Sequence, residues 1–320
     1  MTTTDGFLFA GQGAQYVGMG ADVAALFSEI GEALAEADEA LGEPLTTVIA
    51  KGPEEELTLT QNAQPAILAL GIGHLRLATD RLGLAPRVVL GHSLGEYAAW
   101  VAAGALAYDD AVRLVRQRGQ LMQEAVPVGV GAMSAIIAAP TALVEQLCEE
   151  ARSALPPGKV VEVAVYNCPG NVVVSGHTEG VEAVERNVEE GRHGVVRRLA
   201  VSAPFHCSLL APAAERLAEV LSQIEVHPND LPVIPNVTAE VVEPGAEPDL
   251  IRELLVRQVQ APVRWETSLR HMLEMGVNRA LSLGPGTMNL AQLKRVRRRM
   301  PMVSLDRLDD IQTHLLQQDA

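Results

Sequence analysis

Arg87-Val-Val-Leu-Gly-His-Ser-Leu-Gly-Glu-Tyr97 decides the reading of this chain. Val88 to Leu90 is a short apolar run that reads as a buried strand. Gly91-His-Ser-Leu-Gly95 follows as a sharp turn, and Glu96 to Leu106 reads as a helix. A G-x-S-x-G turn between strand and helix is a nucleophile elbow. Its glycines allow a strained backbone where a Cβ would clash. The turn lifts the Ser93 hydroxyl above the sheet and aims the next backbone N–H groups at any oxyanion formed there. The plainer alternative is a glycine-rich turn in which Ser93 merely caps the helix. The strand-turn-helix setting favours covalent acyl chemistry.

Outward from the elbow, Phe7 to Ala10 reads as another buried strand, running into Gly11-Gln-Gly-Ala-Gln15. Helical periodicity covers Ala21 to Leu41, Pro65 to Leu82 and Asp109 to Ala125, the last with Asp109 or Asp110 as its cap. Strands and helices in alternation predict an α/β fold with a mostly parallel sheet covered on both faces. Near Pro127 the pattern changes. Strands at 132–138, 160–166, 171–175 and 195–201 enclose helices at 141–152 and 178–190, the β-α-β-β-α-β order of a ferredoxin-like unit. The expected organisation is therefore a large subdomain, 1–126 and 200–320, with a small one, 127–199, inserted into it. Strands near Leu231 to Pro235 and Ala280 to Leu283 should complete the larger sheet.

The chain has 320 residues, 48% hydrophobic and 20% charged, as suits a globular protein with a sizeable core. No apolar run approaches the roughly 20 residues of a membrane span, and Met1 to Phe9 lacks the features of a signal peptide. A cytoplasmic location is the resulting expectation. Cys148, Cys168 and Cys207 cannot all pair and lack zinc-type spacing, so neither a disulfide framework nor a metal site is expected. The formal charge of −15 argues against general nucleic-acid affinity. An acidic partner would have to dock on a local basic patch.

A serine nucleophile needs a base within reach. Among eight histidines, His206 stands out. It lies in Ala203-Pro-Phe-His-Cys207, a loop after an apolar strand and before the helix-like Leu209 to Ile224, where α/β folds keep their active-site groups. A buried structural histidine is the competing reading. His92 adjoins Ser93, but successive side chains in an elbow diverge, so it more simply supports the turn. The segment from Gly11 invites a dinucleotide reading and fails it, because Tyr16 stands where the third glycine belongs. A loop lending a backbone N–H to an oxyanion hole is the alternative use. Arg118, flanked by apolar positions, should be partly buried and needs a partner. Asp110 or Glu124 could serve, or its planar fork could bind a substrate carboxylate.

Taken together, these segments resemble the malonyl-CoA:acyl-carrier-protein transacylase family and the related acyltransferases of polyketide synthases. The likeness also includes Thr60-Gln-Asn-Ala-Gln-Pro65, Gln117 to Ala125, Gly131-Ala-Met133, Asn167-Cys-Pro-Gly170, Arg257 to Pro262 and Gly284-Pro-Gly286. It implies an α/β-hydrolase-like core with a ferredoxin-like insertion. It makes Ser93 the acylated nucleophile and His206 its base, oriented by the backbone carbonyl of Gln258. It assigns the oxyanion donors to the backbone of Gln12 and Leu94, and the carboxylate clamp to Arg118. His92, Gln64 and Asn167 fall in or beside the site, and Met122 and Phe205 in the acyl pocket. Ala10, where the family usually has proline, is a mild departure. The basic residues of Gly191 to Arg198 are shifted from their usual places.

The implied reaction moves a malonyl group from malonyl-CoA to the phosphopantetheine thiol of acyl carrier protein, by a ping-pong route through malonyl-Ser93 and without a cofactor. Phe205 should disfavour an α-methyl branch. Arg192, Arg197, Arg198 and Lys294 to Arg299 are candidates for docking the acidic carrier, and a monomer is expected. A stand-alone polyketide acyltransferase or the malonyl-transfer subunit of a malonate decarboxylase would share every catalytic residue. An acyl hydrolase would not need Arg118, and a non-catalytic scaffold would not need Ser93 or His206.

Overall fold

The computed structural model describes residues 3–201 and 203–316. One sheet, in the large unit, holds four parallel strands in the order β2-β1-β7-β8. These are β1 (Asp5–Phe9), β2 (Pro86–Gly91), β7 (Arg279–Leu283) and β8 (Met302–Ser304). Both faces are covered, so β1 and β7 are buried along their whole length, and the charged residues at their starts, Asp5 and Arg279, pair with each other.

The other four-stranded sheet is antiparallel, in the order β4-β5-β3-β6. Its strands are β3 (Gly131–Ile137), β4 (Val161–Cys168), β5 (Asn171–His177) and β6 (Val195–Arg198). Helices Thr141–Ala154 and Thr178–Glu190 complete the β-α-β-β-α-β unit. Strand alternation divides its side chains between two cores. Ala132, Ile136, Val172 and Val174 join the helices of the small unit, whereas Met133, Ala135 and Val173 face the main core. On β4 a register shift between Val163 and Val165 moves both Ala164 and Val165 to the main-core side.

Several local expectations change. Leu231 to Pro235 forms only isolated bridges at Val233, parallel to Val89 and antiparallel to Val242, instead of a strand. Pro232 and Pro235 have no N–H to extend the ladder. The 21–41 stretch splits into helices Ala21–Ala24 and Ser28–Leu41, and the elbow helix is shorter than expected, Gly95–Ala102. Leu106 instead bridges to Val226. The helix Tyr108–Glu124 begins after Ala107 without a side-chain cap. Asp109 and Asp110 sit inside its first turn, where they face the helix dipole and both pair with Arg113. Thr60–Arg76 is one helix carrying Pro65 in its second turn, followed by a wider turn at Leu77–Arg81.

Candidate active site

The site is built at the C-terminal end of β2, beside β1. The close approach that the glycines permit is measurable. A Cβ on Gly91 would stand 1.9 Å from the Gly95 carbonyl carbon, and one on Gly95 would stand 2.4 Å from the Phe9 oxygen. Ser93, between them, takes a left-handed backbone with φ 51°, a conformation that costs a non-glycine residue energy and is over-represented at functional sites. Asn236 braces the elbow at both ends: its Oδ1 accepts the Ser93 N–H at 2.7 Å and its Nδ2 donates to the Gly91 carbonyl at 2.7 Å. The first helical turn begins at once, with Gly95 and Glu96 N–H donating to His92 and Ser93 carbonyls. Ser93 is therefore not a helix cap.

The Ser93 hydroxyl lies 2.6 Å from His206 Nε2. On the other side of the ring, Nδ1 is 2.9 Å from the Gln258 backbone carbonyl. A carbonyl only accepts, so Nδ1 carries the proton and Nε2 is left to accept from Ser93. His206 is buried, and burial together with the Arg118 charge holds its pKa down to about 3. The ring is thus neutral near pH 7, as a base must be. Its own φ is 58°, a second strained position in the site.

Arg118 is only 1% exposed, yet no carboxylate among the described residues forms an ion pair with it. Asp110 and Glu124 are occupied by Arg113 and Arg216. Its fork instead meets two amide oxygens, Gln64 Oε1 at 2.8 Å and Gln258 Oε1 at 2.9 Å, and Nη2 stands 3.4 Å from Ser93 Oγ. The guanidinium carbon lies 5.2 Å over the Tyr97 ring. Burial lowers the Arg118 pKa, and Nε has no hydrogen-bond partner. A buried cation hydrogen-bonded only by neutral oxygens, with the Glu96 charge acting on it without direct contact, is free to take an incoming carboxylate beside the nucleophile.

The remaining expected residues gather more loosely. His92 Nε2 donates to Asn167 Oδ1 at 3.0 Å, its ring meets Trp265 edge-on, and burial keeps its pKa low. Gln292 Nε2 shares the same Asn167 oxygen at 2.9 Å. Gln64 Nε2 approaches Met122 Sδ at 3.8 Å, which brings Met122 beside the arginine. Phe205, next to His206, is buried with its N–H on Met133 Sδ at 3.3 Å. The Gln12 side chain donates to Thr60 Oγ1 at 3.2 Å. Its neighbour Gly11 approaches the elbow so closely that a Cβ there would lie 2.4 Å from the His92 carbonyl oxygen.

Sequence reasoning overlooked Asn236, Glu96 and the side chain of Gln258. Asn236 lies 143 residues from Ser93, beyond any local signal. Glu96 belongs to the elbow segment itself, but its neighbours in that segment do not reveal that it is fully buried.

The basic candidates separate. Arg198 pairs with Glu182 and Glu185 on the helix side of β6. Arg197 is exposed and registers with Ala135 on the opposite face, toward the main core. Among the described residues no helix is long and apolar enough to cross a membrane.

Comparison with known proteins agrees with this geometry. Residues 6–305 match the acyl transferase domain family. The malonyl CoA-acyl carrier protein transacylase of Bacillus subtilis is 40% identical over 299 residues, 93% of this chain and 92% of the relative. That of Escherichia coli K12 is 42% identical over 290 residues, 91% of this chain and 92% of the relative. Among solved structures, the malonyl-transacylase in complex with its type II PKS acyl-carrier protein superposes with a TM-score of 0.93 at 38% identity, covering 98% of this chain and 99% of that one. The fold, the elbow and these likenesses lead to one conclusion: this chain is an acyltransferase belonging to the malonyl CoA-acyl carrier protein transacylase family.

Proposed function

We propose that this enzyme transfers the malonyl group of malonyl-CoA to the phosphopantetheine thiol of acyl carrier protein through a malonyl-Ser93 ester. The observation that carries the reading is one oxygen with two neighbours: Ser93 Oγ lies 2.6 Å from a neutral imidazole and 3.4 Å from a buried guanidinium. In the first half-reaction Ser93 Oγ attacks the thioester carbon while His206 Nε2 takes the hydroxyl proton. The backbone N–H groups of Gln12 and Leu94 receive the oxyanion. As the intermediate collapses, the carbon–sulfur bond breaks and CoA leaves with the proton from His206. In the second half-reaction the carrier's thiol gives its proton to His206, attacks the ester and frees Ser93. One thioester replaces another, so the chemistry is nearly balanced and needs no outside driving force.

The Gln258 carbonyl fixes the His206 tautomer. Arg118, supported by Gln64, grips the malonyl carboxylate and selects against an uncharged acetyl group, which would leave the cation unpaired. Met122 and Phe205 shape the acyl pocket, and His92 and Asn167 stand in or beside the site. The proposed division places residues 127–199 as a small subdomain inserted in a large one, 1–126 and 200–320, and the two separate cores support it. A cytoplasmic monomer is the working state, which light scattering tests. Fatty-acid and polyketide pathways use the same transfer.

Intact mass after brief mixing with malonyl-CoA tests the reading. One malonyl adduct on the parent and none on Ser93→Ala is the expected result. Release of free CoA without an adduct would instead indicate hydrolysis.

A further inference from the structure

Behind the nucleophile lies a carboxylate that the proposed reaction does not use. Glu96 is 0% exposed. Its Oε2 accepts the Asn236 backbone N–H at 2.8 Å and Gln258 Nε2 at 2.9 Å, and its Oε1 accepts Trp100 Nε1 at 3.3 Å. Each of these neighbours is a donor, so the ionised carboxylate satisfies all three. A protonated one would lose the charge that strengthens all three bonds.

Two of the partners lead directly to the reacting groups. Gln258 Nε2 also donates to the Ser93 carbonyl at 2.8 Å, its Oε1 accepts from Arg118, and its backbone carbonyl orients His206. Asn236 holds the Ser93 N–H and the Gly91 carbonyl. One buried anion thereby fixes the amide orientation of Gln258 and the backbone position of Asn236. If the Gln258 amide turned over, it would present N–H groups to Arg118 and an oxygen to the Ser93 carbonyl.

We propose that ionised Glu96 is a positioning residue for acyl transfer, acting through Gln258 and Asn236, and that its protonation, not that of His206, sets the acid limb of the reaction. This inference rests on the malonyl-Ser93 reading. Burial raises the Glu96 pKa to about 7, against the hydrogen bonds from Asn236, Gln258 and Trp100 and the charge of Arg118. The other titratable groups around it are Arg118 and Tyr97, whose phenol burial pushes up to about 12. Beyond Arg118, His206 is held near 3 and so is already neutral across this limb, and burial also lowers the His92 pKa.

The test is the pH dependence of Ser93 acylation by malonyl-CoA, followed by rapid quench and intact mass in the parent and in Glu96→Gln. The parent should lose acylation rate as pH falls through about 7, approaching tenfold per unit. Glu96→Gln should be slower by roughly 10- to 100-fold on the alkaline side, through misplacement of the reacting groups. Its profile should be flat where the parent's falls. A variant that keeps the parent's limb, or the parent's alkaline rate, overturns the inference alone. A parent that takes no malonyl adduct overturns the functional reading and the inference with it. Nitrogen NMR of the His206 ring in the parent needs no variant: a ring that stays neutral across the limb supports the assignment, and a ring that titrates with it overturns it.

Discussion

Ser93 and His206, 113 residues apart, both occupy the left-handed backbone region while their side chains meet at 2.6 Å. Each conformation costs of order 1–3 kcal/mol. The glycine-framed elbow supplies the first, and the loop Ala203 to Cys207 supplies the second. Because both are held by surrounding backbone, the pair is assembled before substrate arrives. Ser93→Ala should therefore remove the adduct and lower transfer by at least about 1,000-fold without unfolding the protein. Turnover assays with thermal denaturation as a control check this.

Arg118→Ala should lower kcat/KM for malonyl-CoA by roughly 30- to 1,000-fold, the cost of leaving a charged group without its buried partner. Acetyl-CoA should lose far less, since it never used the fork. Competition between the two esters reads the change in selectivity, and equal losses on both would show that the arginine only supports the fold.

The elbow glycines should tolerate no side chain. In Gly95→Ala the new Cβ would meet the Phe9 and Ala10 carbonyl oxygens at 2.4 and 2.8 Å, both on fixed backbone. A loss of at least about 2 kcal/mol is expected. Gly31→Ala is the matched control: it lies in the helix Ser28–Leu41 with open space around it. It should gain up to about 1 kcal/mol from helix propensity. Urea midpoints of the two variants should move in opposite directions.

His74 is fully buried, accepts the Gly284 N–H on Nδ1 at 2.9 Å, and is held by burial at a pKa of about 3. Its folded pKa lies below its unfolded value of about 6.5, so its contribution is complete above pH 6.5. As pH falls below that value the unfolded state takes the proton and stability drops, by about 2 kcal/mol at pH 5. His206 acts in the same direction and Glu96 in the opposite one. The pH-dependent stability difference between the parent and His74→Gln isolates the His74 share. No divergence between pH 7 and 5 would contradict it.

Arg197 and Arg198 should respond differently to substitution. Arg198→Ala breaks exposed ion pairs with Glu182 and Glu185 and should cost at most about 1 kcal/mol, with transfer unchanged. Arg197→Glu should slow transfer to an acidic carrier protein at low salt, with the difference shrinking as salt rises. Malonylation of Ser93 should be unaffected, which places the defect in the second half-reaction.

Much of this was legible in the chain because it is local. Strand, elbow and helix from Arg87 to Tyr97 follow from an apolar run, two glycines and a helical pattern. The β-α-β-β-α-β order follows from the change in periodicity after Pro127. The stretch around Val233 was misread because apolar alternation looks the same whether or not prolines interrupt the ladder. The family likeness pointed to Ser93, His206, Arg118 and the Gln258 carbonyl, and the structure brings all four together.

Tertiary structure alone decided how those groups are held. Glu96 reads as an ordinary acidic residue near the start of a helix, and only packing shows it buried under Trp100, Asn236 and Gln258. Arg118 reads as an arginine with two nearby acids. The fold gives those acids to other arginines and leaves Arg118 with two amide oxygens. Local sequence dictates where the backbone bends, because sterics act between neighbours. Which charge is left without an ion pair depends on residues far along the chain, Gln64 at 54 positions from Arg118 and Gln258 at 140, and the sequence carries no local record of them.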